Sequence, residues 1–86
     1  MPTIARFSGI VIRMYFLPKE HNPPHVHVVY KEGDFSITIK DCEIIDGEQN
    51  PPAKILNPVK EWIEDNREAL QEMWDTQTIQ PIEPKQ

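Results

Sequence analysis

The stretch "HVHVVYKEGDFSITIK", residues 25–40, decides how this chain folds. In its first six residues His25, His27 and Val29 alternate with Val26, Val28 and Tyr30. In its last six, Phe35, Ile37 and Ile39 alternate with Ser36, Thr38 and Lys40. A period of two sends alternate side chains to opposite faces of a strand, and β-branched and aromatic residues favour that backbone. The intervening "KEGD" supplies turn residues, so the stretch predicts a β-hairpin. Pro23 and Pro24 stand before its first strand, where a missing N–H interrupts no ladder.

The reading extends outward in both directions. Upstream, "GIVIRMYF", residues 9–16, is a strand with Ile10, Ile12, Met14 and Phe16 on one face and Val11, Arg13 and Tyr15 on the other. Ser8-Gly9 marks a bend or bulge, which leaves Thr3 to Phe7 either in the same strand or beside it. Pro18 to Pro24 is a loop. Downstream, Glu43 to Ile45 is a shorter strand closed by Asp46-Gly47. Residues 1–47 therefore predict an antiparallel meander of three or four strands.

After Pro51-Pro52 the period changes. Ile55, Val59, Trp62, Ile63, Leu70, Met73 and Trp74 recur at spacings of three and four, the apolar stripe of one amphipathic helix over 51–75. Its start has two readings. Asn57-Pro58 would be the cap and first helical residue, favoured by Glu61, Glu64 and Asp65 near a helix N-terminus; alternatively Asn50-Pro51 would fill those roles, with Pro58 kinking the interior. Residues 76–86 read as an extended tail that Ile79 and Ile82 pin to the surface. The expected fold class is α+β, a single domain over 1–86 whose sheet is packed on one face by the C-terminal α-helix. With Ile10, Ile12, Phe35, Ile37 and Ile39 against that helix, the other face is exposed, and His25 and His27 are expected to share it with Arg13 and Tyr15.

Composition bounds the function. The chain has 86 residues, 38% of them hydrophobic and 27% charged, which suits one small globular module. A net charge of −5 and a pI near 5.0 do not favour nucleic acid as partner, because that affinity needs clustered Lys and Arg. The charge is uneven: residues 1–31 carry Arg6, Arg13, Lys19 and Lys31 against Glu20 alone, so this half suits an acidic ligand. Cys42 is the single cysteine, which excludes an internal disulfide and a cysteine-rich zinc module and fits a reducing compartment. With no signal-like start and no apolar run long enough for a bilayer, the expected location is the cytoplasm, without membrane contact.

The candidate chemistry gathers at residues 21–27. His25 and His27 are two apart on a strand, so both imidazoles leave one face at about 7 Å backbone separation. As metal ligands they need a third, from His21, Asp34, Glu32 or Cys42, and spacing fixes none of these; the expected cofactor is none. As acid and base they are the candidate catalytic residues of a metal-independent nuclease in which Arg13 and Tyr15 stabilise a phosphate. The plainer reading places Arg13 and Tyr15 on a solvated strand face. The histidine-triad hydrolase pattern lacks its third histidine, since Val29 stands there, and the cupin pattern lacks its glycines and second motif. No Ser, Cys or Thr is marked as an activated nucleophile. Trp62 and Trp74 read as core and core-edge anchors, and the acidic helix as a solvated face that an exposed Trp74 would adapt for docking a basic partner.

"MPTI", "GIVIRMYF", "PPHVHVVY", Gly47, "EWIEDNREALQEMW" and "IQPIEP" together resemble domain of unknown function 4160, a family of small, mostly bacterial proteins. The resemblance covers nearly the whole chain and implies a complete single-domain protein. It further implies Arg13, Tyr15, Pro24, His25 and His27 as the conspicuous set, with Trp62 and Trp74 as helix anchors. Members are often encoded beside another small domain in a two-gene, toxin–antitoxin-like arrangement. The expected function is thus an interaction module, a component of such a pair, binding through Arg13, Tyr15, His25 and His27. A protein partner encoded nearby and a homodimer through an edge strand are the expected associations. The alternative is a small nuclease or metal-dependent phosphoesterase using His25 and His27, with His21 as a further metal candidate.

Overall fold

The computed structural model describes residues 3–15 and 23–78. Among these lie five strands, β1 (Thr3–Phe7), β2 (Ile10–Arg13), β3 (His25–Tyr30), β4 (Gly33–Thr38) and β5 (Ile44–Gly47), and one helix, α1 (Ala53–Thr76). The strands join in chain order into one antiparallel sheet. The class is α+β, as expected, but the sheet has five strands where three or four were expected.

The extra strand comes from Ser8-Gly9. Both residues have left-handed backbone, with φ of 51° and 74°, the combination that closes a two-residue hairpin whose twist matches its strands. Phe7 therefore pairs with Ile10, and Thr3–Phe7 turns back beside β2 instead of continuing it. The β3–β4 hairpin is as tight: Tyr30 pairs with Gly33, which fixes Val28 opposite Phe35 and His27 opposite Ser36. At the far edge the strand expected over Glu43 to Ile45 runs instead over Ile44–Gly47. Gly47 has φ 83°, and a Cβ there would come within 2.5 Å of the Asp34 carbonyl oxygen and 2.7 Å of Phe35 Cα. A glycine is thus demanded twice, by backbone conformation and by contact.

One sheet face is apolar. Ile12, Val28 and Phe35 lie in register across β2, β3 and β4, with Val26 opposite Ile37, and all five are at most 1% exposed. Against them α1 buries Ile55, Val59, Ile63, Leu70, Met73 and Trp74, which form one cluster with the sheet residues. Ile10, Ile37 and Ile39 belong to that cluster, while Phe16, Ile79 and Ile82 lie outside the described residues.

The helix begins at neither expected place. Pro52 caps it, its carbonyl accepting from the N–H groups of Ile55 and Leu56 at 2.9 Å each. No acidic residue lies in the first turn, so Glu61, Glu64 and Asp65 are exposed mid-helix residues. Pro58 sits inside the helix, where it removes the N–H that the Lys54 carbonyl would accept. The interruption falls at Asn66 instead (φ −122°, ψ 17°), whose side-chain Nδ2 donates to the Trp62 carbonyl at 2.9 Å. That amide competes with the backbone for its own helical acceptor, which locally opens the helix. Gln77, left-handed at φ 57°, ends it, and Thr78 N–H returns to the Met73 carbonyl at 3.2 Å.

Candidate functional site

Alternation places Arg13, His25, His27, Ser36 and Thr38 on the face opposite the core. The register then brings some of them into one line: Thr3 opposite Arg13, Arg13 opposite His27, His27 opposite Ser36 and Ser36 opposite Asp46. His27 occupies the centre of this row. Its Nδ1 shares a 3.2 Å hydrogen bond with Ser36 Oγ, directed one way or the other by the imidazole tautomer. Tyr15 stands edge-on to the His27 ring at 4.3 Å between centroids and 88° between planes.

His25 is one step further along β3. Its Nδ1 donates to the Pro23 carbonyl at 2.8 Å, so Pro23 fixes the tautomer and orients the ring. The His25 ring lies 5.2 Å from that of His27 and 5.2 Å from that of Trp74, which reaches it from the last turns of α1. Across the β3–β4 pair, Thr38 Oγ1 accepts from Glu43 N–H at 2.9 Å.

This face is less open than expected. His25, Ser36 and Thr38 are each only 4% exposed, while Arg13, Tyr15 and His27 are half-buried. Trp74 is 5% exposed, so it is a core residue packed on His25 and offers no exposed docking ring. Trp62 is half-buried at the core edge, 6.0 Å from Phe7. The guanidinium of Arg13 is poised differently from its neighbours: its Nε is buried and has no hydrogen-bond partner among the described residues. A buried charged donor without an acceptor is costly.

The other proposed ligands are dispersed. Cys42 packs at the core side, its Sγ 3.7 Å from Arg67 Nη2. Asp34 lies on the histidine face but one row away, opposite Val29. His21 is outside the described residues. Among the described residues no three His, Cys, Asp or Glu side chains are grouped closely enough to hold a metal ion.

Two residues in or near this arrangement escaped the reading of the sequence. Ser36 was legible in principle, because a two-residue Lys31-Glu32 connection makes paired positions sum to 63 and so sets it opposite His27. Arg67 occupies the gap in the apolar stripe between Ile63 and Leu70, at core-facing spacing. Its Nε donates to the Ile39 carbonyl at 2.8 Å, tying α1 to the end of β4.

A family model for a domain of unknown function (DUF4160) matches residues 9–75, spanning β2 to the last turn of α1. The chain belongs to this DUF4160 family. The match takes in Arg13, Tyr15, His25, His27 and Ser36 together with both tryptophans. No curated protein and no solved structure matches the chain. No helix of the described DUF4160 residues is long and apolar enough to cross a membrane.

Proposed function

We propose that this DUF4160 chain is a cytoplasmic interaction module, one component of a two-gene, toxin–antitoxin-like pair, which binds its partner protein through the Arg13–Tyr15–His27 cluster. The observation that carries the reading is the buried Nε of Arg13, beside His27 and Tyr15 and without a hydrogen-bond partner among the described residues. A partner carboxylate reaching Arg13 would gain a charge-assisted hydrogen bond, and Tyr15 would add aromatic contact area. Co-purification with the product of the adjacent gene tests this. A stable complex with wild type that is lost on Arg13→Ala supports it, and no complex with wild type refutes it.

A second reading has its own observation, the two imidazoles 5.2 Å apart with a guanidinium alongside. This is a general acid–base pair with an anion holder, suited to a nuclease or phosphoesterase. A metal-dependent form would need ligands beyond His25 and His27, with His21 the remaining histidine. RNA or phosphodiester cleavage that survives in a His25→Ala, His27→Ala protein would exclude these residues as its source.

A further inference from the structure

A second row of side chains crosses the polar face at the end away from Trp74. Arg6, Val11, Val29 and Asp34 stand opposite one another across β1 to β4. Glu48, whose N–H donates to the Asp34 carbonyl at 2.9 Å, continues the row just past β5. Arg6, Asp34 and Glu48 are exposed, and the two valines are half-buried. The row is thus basic at the β1 end, apolar in the middle and acidic at the β5 end. The neighbouring row repeats this order, with Arg13 on β2 and Asp46 on β5. Tyr30 senses the same acidity: its hydroxyl pKa is raised, by burial and then by the charges of Glu48, Glu32 and Asp34.

We propose that this row is the centre of a symmetric dimer interface, and that its occupant is a second copy of this chain. A half-turn about an axis parallel to the strands and lying between β2 and β3 stacks the two polar faces and reverses the strand order, laying β1–β2 of one copy over β3–β4 of the other. Arg6 of each copy then stands over Asp34 of the other, with Glu48 beside it, and Val11 of each meets Val29 of the other at the centre. Such an isologous contact makes every ion pair twice. Packed sheets lie about 10 Å apart, a gap that the Arg6 side chain bridges while Val11 and Val29 fill it. A half-turn about an axis across the strands would instead set Arg6 over Arg6 and Asp34 over Asp34, which charge forbids. A uniformly basic or acidic surface would likewise meet its own sign at one end of the row.

The interface is small and each copy carries a net charge of −5, so the dimer is weak and concentration-dependent. The contact centres on Arg6 and Asp34 and adjoins the Arg13–His27 row, so this dimer and the partner proposed above compete for the face. Sedimentation equilibrium of the full chain between about 10 µM and about 1 mM, the range of weak interfaces, tests the proposal. Wild type is expected to show a monomer–dimer equilibrium. Arg6→Asp and Asp34→Arg should each weaken it at least about tenfold, and the two combined should return it to within about threefold of wild type. Both positions are exposed, so an unchanged urea midpoint certifies that the variants are folded. A monomer throughout the range, a single variant that dimerises like wild type, or a combined variant that fails to recover would each overturn it.

Discussion

The two faces of this sheet are built from the same strands and obey different rules. On the core face Ile12, Val28 and Phe35 meet α1 in a contact whose energy depends on filling volume. On the opposite face Arg13, His27 and Ser36 occupy the intervening positions, and what matters there is which donor meets which acceptor. Substitutions on the first face should cost folding, and substitutions on the second should cost recognition. A sheet only one layer thick keeps the two apart because successive residues alternate between its sides, except at the irregularities in β1 and β5.

The sharpest way to break the comparison is at Phe35, 1% exposed in the middle of β4. Phe35→Ala should cost about 3–5 kcal/mol in urea denaturation, enough to unfold much of a domain this small at room temperature. Arg67→Ala tests whether a charged side chain serves the core side. Losing its charge-assisted bond to the Ile39 carbonyl should cost about 1.5–3 kcal/mol, and a cost near zero would mean that water replaces it. Gly47→Ala adds a Cβ to a left-handed position within 2.5 Å of backbone, and a cost of about 1–3 kcal/mol is expected from the same denaturation series. On the polar face, Ser36→Ala removes the partner of His27 Nδ1 at the price of one hydrogen bond, about 1 kcal/mol. Nuclear magnetic resonance of the His27 ring should show a changed tautomer balance in that variant.

The division of faces was legible in the chain because alternation is a local property. Ile37 and Ile39 needed only a period of two to be assigned to the core, and Val59, Ile63 and Leu70 only a period near three and a half. Strand number was harder, since it turned on the left-handed backbone of Ser8, a residue type that does not announce such a conformation. The helix start was missed for a related reason: capping at Pro52 uses a backbone carbonyl and leaves no side-chain signature. The meeting of Arg13 with His27 depended on register across β2 and β3, two strands separated by a long connection. The covering of His25 by Trp74 depended on where the end of α1 lands after its interruption at Asn66. Both are tertiary facts, set by packing and not by any local pattern.

The central claim is that the polar face recognises a partner without holding the fold together. Its most direct test is the affinity of Arg13→Ala for the adjacently encoded protein by isothermal titration calorimetry, set beside its urea midpoint. We expect affinity to fall at least about tenfold while the unfolding free energy from the urea titration stays within about 1 kcal/mol of wild type. Affinity equal to wild type, or a loss matched by an equal loss of stability, would contradict the claim.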